Sequence, residues 1–295
     1  MILVTAAYGT QGRRLLPRLA QAGARVRALR RTADGSAALR ALGASEVMSG
    51  DASDPAVLRS AMSGVESVYH VGPSAHPRER QMGLMAIEVA REAGVRHFVF
   101  ASALHAILTA LVQHEIKRDI EEQLVCSGLN FTILQPADFM QTLRYLHAFE
   151  HGELPVAWNP ERRHSLVDVE DLAAAAARVL LEGEPHYGAT YELSSAGCHS
   201  SRDIAAVIAG VSGRAVSVCE VSPQQRMADH FAGAAQDEGA AHRQRVFAAL
   251  KSWYGSHDFV GNPNVLTMLL GRPPRSLADF LRAEFARLRD HPAVQ

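Results

Sequence analysis

The sequence predicts a doubly wound α/β fold, a parallel sheet with helices on both faces, followed by a smaller C-terminal α+β domain. Three observations carry this reading. Short apolar runs alternate with stretches of helical period; the first run passes through a small-residue turn straight into an amphipathic helix; and the alternation stops near residue 194.

The first element is Ile2-Leu-Val-Thr5, a run of strand length, followed by the turn Ala6 to Gly12. A strand that runs through glycines into a helix start aims unpaired backbone N–H groups, and the positive end of the helix dipole, at one point. That point favours a phosphate. The spacing Ala6-x-x-Gly9-x-x-Gly12 is a variant of the dinucleotide turn with alanine in place of the first glycine. Gly9 would let backbone approach a pyrophosphate and Gly12 would let the helix pack on the strand; Tyr8, Thr10 and Gln11 complete the turn. An ordinary βα connection is the other reading of the same residues.

Strands are expected at 2–5, 24–29, 45–49, 66–71, 96–101 and 130–135, and helices at 11–22, 35–42, 54–62, 77–93 and 110–127. Right-handed crossovers would then place a ligand at the C-terminal edge of the sheet. At the end of the second strand Arg30 and Arg31 stand where an NAD-selective site would carry Asp or Glu. They point to NADP(H) in preference to NAD(H), because a guanidinium–phosphate contact is worth roughly 1.5–3 kcal/mol. The alternative is a solvated surface pair. Arg13 is placed to join the same phosphate.

After the third strand, Asp51 either accepts a hydrogen bond from an adenine amino group or simply forms the turn, with Ala52 beside it; Asp54 before Pro55 is a helix N-cap. Val71, Gly72 and Pro73 supply a tight, side-chain-poor edge against which a dinucleotide can lie.

Composition agrees. The chain has 295 residues, 47% hydrophobic and only 6% aromatic, enough to bury one large core with an appended smaller one. Thirty Lys and Arg against thirty-one Asp and Glu leave a formal charge of −1, so no global basic field draws the chain to nucleic acid or anionic lipid. Cys126, Cys198 and Cys219 are scattered without C-x-x-C spacing, which suits a reducing compartment. With no signal peptide and no apolar run of membrane-spanning length, a cytoplasmic location is expected. His114-Glu115-x-x-Arg118 departs from the H-E-x-x-H zinc motif at its second histidine, and no metal site is expected.

In order and spacing the chain resembles the NmrA-like branch of the atypical short-chain dehydrogenases/reductases. The resemblance runs nearly end to end: Thr5-Ala-Ala-Tyr-Gly-Thr-Gln-Gly12, Val26-Arg-Ala-Leu-Arg30, Gly50-Asp51 with Asp54, Leu58, Ala61 and Gly64, Lys117 with Glu121-Glu122, Ser127-Gly-Leu-Asn-Phe-Thr-Ile-Leu-Gln-Pro136, Phe139-Met140, and Val167-Asp168-Val-Glu-Asp171-Leu172. It implies an NADP(H)-preferring Rossmann-type domain over residues 1–150, with a return segment at about 164–193. Residues 151–163 and 194–295 would form the smaller substrate or lid domain, closing a cleft over the nicotinamide.

The departures bear on chemistry. In the tyrosine-dependent reductases a Tyr four residues before the Lys donates the proton; here that position is Gln113, and an amide is no general acid. The resemblance makes Lys117 the leading catalytic residue or a contact to the nicotinamide ribose; otherwise it is a surface lysine paired with Glu121 one helical turn on. His114, on the same helical face, either delivers a proton near neutral pH or is structural. Ser102, at the end of the fifth strand, orients a substrate carbonyl or caps the following turn. Pro136 lies at the end of the sixth strand, against the cofactor. Phe139, Met140 and Leu143 line an apolar substrate pocket or are plain core.

Asp168 is read as an N-cap and Ser276 as the cap of the final helix. Beyond 194, helices are expected near 200–212, 223–233, 240–253 and 276–289, with a short strand at 215–220. Two functions follow: an NADPH-dependent reductase of an apolar carbonyl, quinone or conjugated small molecule, or a silent NADP(H) sensor acting through a regulatory protein partner. No recognition-helix pattern suggests direct nucleic acid binding.

Overall fold

The computed structural model describes residues 1–222 and 239–290. Seven strands form one parallel sheet: β1 (Ile2–Val4), β2 (Val26–Arg30), β3 (Glu46–Ser49), β4 (Ser67–Val71), β5 (His97–Ala101), β6 (Phe131–Pro136) and β10 (Ala189–Leu193). Their order is β10-β6-β5-β4-β1-β2-β3. The chain therefore winds one way from β1 to β3 and the other way from β4 onward. The reversal between β1 and β4 leaves a crevice at their C-terminal ends, which is where open α/β sheets bind ligands.

Buried on both faces, the strands split their residues by pleat. Ile2 and Val4 face one apolar cluster with Leu15, Leu16 and Leu19 of α1 (Gly12–Gln21) and Leu172, Ala176 and Val179 of α7 (Val169–Glu182). Leu3, Phe98 and Phe100 face the opposite cluster, formed with α3 (Pro55–Met62), α4 (Glu79–Glu92) and α5 (Val112–Cys126). Alanines at 175 and 176 are fully buried and let α7 lie close to its neighbours. The short helix α2 (Ser36–Ala41) follows β2.

The six expected strands and the five expected helices are present within a few residues. The seventh strand, β10, was not anticipated; it is an edge strand with β6 as its partner. It keeps only Leu193 buried, so its sequence carries no apolar run. Asp54 caps α3 by accepting from the Ala56 N–H at 2.8 Å, and Asp168 caps α7 by accepting from the Glu170 N–H at 3.0 Å.

A third apolar cluster lies beyond the sheet. It joins Met140 to α6 (Tyr145–His151), β8 (Glu153–Val156), α8 (Ser201–Ser212) and the final helix α11 (Leu277–Asp290), and β11 (Ser217–Glu220) runs parallel to β8. Ser276 caps α11 through the Asp279 N–H at 3.1 Å. Helix α9 (Ala240–Ser256) and the seven-residue α10 (Asn264–Leu270) return to the first cluster through Tyr254, Leu266 and Leu269. Neither α6 nor α10 was expected, both being too short for a clear period. The helix expected near 223–233 lies outside the described residues. Among the described residues no helix is long and apolar enough to cross a membrane.

Candidate active site

The turn after β1 folds as a ligand cradle. Ala6 takes φ +47°, the left-handed region for which the first glycine is ordinarily used, and its carbonyl accepts from the Gly9 N–H at 2.8 Å. Its methyl is exposed, so the replacement strains the backbone by roughly 1–2 kcal/mol without crowding the protein. Gly12 is held by space: a Cβ there would lie 2.5 Å from the Ala7 carbonyl oxygen. Helix α1 starts directly on the turn because this side chain is missing. Gln11 ties the turn to β4, its side-chain oxygen accepting from Tyr69 Oη at 2.6 Å; Thr10 is exposed.

Tyr8 carries two guanidinium groups on its ring, Arg30 at 4.7 Å and Arg13 at 5.3 Å from the centroid. Arg30 donates from Nη2 to Thr32 Oγ1 at 3.2 Å, while its Nε and Nη1 are buried without a hydrogen-bond partner. Orphaned guanidinium donors at the end of β2 fit a phosphate that the protein alone does not provide. Arg31 is exposed. Asp51 Oδ1 accepts from the Ser53 N–H at 2.8 Å, and that backbone bond holds its carboxyl below the usual range, helped by Arg31 and Arg78. This is the contact of an Asx turn. Ala52 packs on the second cluster.

At the end of β4, Val71 N–H donates to Thr5 Oγ1 at 2.9 Å and the chain turns through Gly72 and Pro73. Behind Gly72 lies an ion pair: Lys117 Nζ sits 2.8 Å from Glu79 Oε1, with side chains 8% and 0% exposed. A Cβ at position 72 would lie 3.1 Å from that carboxylate and 3.4 Å from the ammonium, so the glycine is a window onto the pair. Lys117 also donates to the Ala101 carbonyl at 3.3 Å and rests 5.0 Å from the Phe100 ring centroid. The alternative reading, a surface lysine paired with Glu121, does not hold: Lys117 is buried and its partner is Glu79, at the start of α4. Beside it, His70 is held neutral, its pKa lowered to about 3 by burial and then by Lys117.

Glu121 serves Ser102 instead. The Ser102 hydroxyl donates to Glu121 Oε1, and Gln135 Nε2 donates to both carboxylate oxygens at 2.9 and 3.0 Å. Burial pushes the Glu121 carboxyl up. Ser102 caps no turn; its proton is committed inward. His114 Nδ1 donates to the His105 carbonyl at 3.0 Å, which fixes the tautomer and leaves Nε2 as an acceptor. Burial lowers its pKa, so at neutral pH this imidazole has a lone pair to offer and no extra proton to deliver.

A cleft of about 360 Å³ opens beside these groups, touching Ser74, Ser102, Gln113, His114, Pro136 and Ala137 at the sheet edge. Phe139 and Leu143 line it further out, whereas Met140 is buried in the third cluster, 1% exposed, and belongs to the core. The outer wall holds residues that the sequence reading did not single out: Asp138, Trp158, His164 and Tyr254. Asp138 leaves the sheet in β7 (Asp138–Phe139), which pairs in parallel with β9 (Leu166–Val167). Its Oδ2 lies 3.4 Å from His164 Nδ1, and its Oδ1 accepts from Tyr254 Oη at 3.5 Å.

Comparison with known proteins bears on the family and the fold. The NmrA-like family model matches residues 1–250. An NAD(P)H azoreductase of Xenophilus azovorans is 30% identical over 292 residues, 97% of this chain and 98% of that protein. Quinone oxidoreductase 2 of Escherichia coli is 28% identical over 286 residues, 95% of this chain and 96% of the relative. The crystal structure of an NADPH-dependent quinone oxidoreductase of Escherichia coli complexed with NADPH superposes with a TM-score of 0.77 at 26% identity, covering 97% of this chain and 100% of the other.

Proposed function

The chain belongs to the NmrA-like family, and we propose that it is an NADP(H)-dependent reductase of planar, conjugated acceptors of the quinone or azo type. The observation that carries the reading is the cleft. It begins at the C-terminal ends of β5 and β6, beside the switch point of the sheet, and runs outward between apolar and aromatic walls. The two relatives of 28–30% identity are named an azoreductase and a quinone oxidoreductase, which supports an enzyme over a silent sensor despite the amide at Gln113.

Bound NADP(H) would supply the hydride. The turn from Ala6 to Gly12 would hold its pyrophosphate, Arg30 with Arg13 and Arg31 the 2′-phosphate, and Asp51 with Ala52 the adenine edge. Val71, Gly72 and Pro73 would back the nicotinamide side, with Lys117 reaching the ribose past Gly72 and Pro136 closing the edge. On the substrate side Ser102 and His114 each present an acceptor, because their own protons are already placed on Glu121 and on the His105 carbonyl. Phe139 and Leu143 would exclude water from the acceptor's ring. The elements of the third cluster would then act as the substrate-side unit.

The reading is tested by following the absorbance of reduced nicotinamide when a naphthoquinone or an azo dye is added to enzyme and NADPH. Oxidation that needs both protein and acceptor is expected. Tight NADPH binding with no oxidation by any quinone or azo compound would overturn the reductase and favour the sensor.

A further inference from the structure

Any reduction of a quinone or azo group leaves negative charge on the oxygen or nitrogen distal to the arriving hydride, and a low-dielectric cleft must meet that charge with a donor. The residues first expected to act there offer no strong donor. Ser102 gives its proton to Glu121 and His114 gives Nδ1–H to a backbone carbonyl, while Gln113, where a phenol would stand, brings only the weaker donor of a neutral amide. A phenol does reach the cleft, from the last turn of α9.

Tyr254 is 4% exposed and is the one tyrosine on the cleft wall among the described residues. Its ring is fixed by edge contacts to His164 at 4.4 Å and Trp158 at 5.4 Å, and by Phe259 at 5.6 Å. Only the hydroxyl rotor is loose. Its bond to Asp138 is 3.5 Å long, well beyond the roughly 2.7–2.8 Å of a good O–H···O contact, so the proton is held near the carboxylate without being tightly engaged. The same carboxylate approaches His164, whose Nε2 is buried with no hydrogen-bond partner.

We propose that Tyr254 donates the hydrogen bond that holds the charge-accepting atom of the substrate, and that Asp138 and His164 position its hydroxyl. This rests on the reductase reading and names a phenolic donor in place of the one missing at Gln113. Burial first, and then the neighbouring carboxylate, push the phenol well above its ordinary 10, so it gives a hydrogen bond and keeps its proton. No bond to Tyr254 is made or broken. The proton that completes the reduced product comes from water.

Tyr254→Phe keeps the ring that packs on His164 and Trp158, and serves as the test in the 295-residue chain. With a naphthoquinone acceptor kcat is expected to fall about 10²–10³-fold, the loss typical of one oxyanion donor, with the dissociation constant of NADPH unchanged. The second readout needs no turnover: the visible band of a bound hydroxynaphthoquinone is expected to shift in wild type, and the shift is expected to vanish in Tyr254→Phe. Asp138→Asn should weaken the same shift while leaving NADPH affinity intact. Equal kcat and an equal shift in Tyr254→Phe would overturn the proposal while leaving the reductase standing. A wild type that binds the dye without any shift would overturn it even if no acceptor is reduced, and failure of wild type to bind the dye at all would do the same.

Discussion

Glu79→Ala is expected to destabilise the protein by about 3–5 kcal/mol, because it strands the buried Lys117 ammonium without its counter-charge. The pair is 2.8 Å apart with the carboxylate fully enclosed, so water cannot take the place of the lost partner. Lys117→Met should cost a comparable amount by leaving the carboxylate alone. Removing both charges together is a different matter, since a desolvated pair gains little net energy over apolar packing. The double variant Glu79→Ala with Lys117→Met is therefore expected to lie much closer to wild type than the two single losses summed. Urea unfolding of the four proteins gives the coupling directly. Simple additivity of the two losses would mean that the charges do not stabilise one another.

Asp168→Ala is expected to cost about 2–4 kcal/mol, combining a lost N-cap with lost charge-assisted hydrogen bonds. Its side chain is fully buried and ties two distant segments to the start of its own helix: Oδ1 accepts from the Glu170 N–H at 3.0 Å and from Gln141 Nε2 at 2.6 Å, and Oδ2 accepts from Arg275 Nη1 at 2.9 Å. Arg275 is 31% exposed and can turn to water when the carboxylate goes, which keeps this loss below that of Glu79. Asp171 grips the same tail through Arg272 at 2.5 Å and the Arg275 N–H at 2.6 Å. Urea midpoints measure the loss; a change under about 0.5 kcal/mol, the range of ordinary surface substitutions, would show that the cap and the tail contact are dispensable.

These two carboxylates mark where sequence reasoning stops. The Asp168 cap was legible because a cap is local, an acid one residue before a helical pattern; its hold on Arg275, 107 residues away, was not. Glu79 reads in sequence as an ordinary acid in a first helical turn, and only the packing of α4 on α5 buries it against Lys117. The glycine turn and the arginines after β2 were readable for the same reason as the cap, since they lie next to the strands that place them. Ser102 and His114 were found by position, but the direction of their hydrogen bonds depends on Glu121 and on the His105 carbonyl. Tyr254 stood just past a helix expected to end at 253, with nothing to tie it to Asp138, 116 residues earlier. Met140 and Phe139 are neighbours in sequence, yet one enters the core and the other the cleft.

Every role proposed for the cleft depends on a bound NADP(H), and the first test is a side-by-side thermal-shift titration with NADPH and NADH. At about 100 times its dissociation constant NADPH is expected to add roughly 2.7 kcal/mol of stability. Arg30→Ala should raise the NADPH dissociation constant about 10- to 150-fold, the equivalent of a lost guanidinium–phosphate contact of roughly 1.5–3 kcal/mol, and should leave NADH nearly unaffected. Stabilisation by neither nucleotide would contradict cofactor binding altogether, and equal stabilisation by both, unchanged in Arg30→Ala, would contradict a 2′-phosphate site at Arg30.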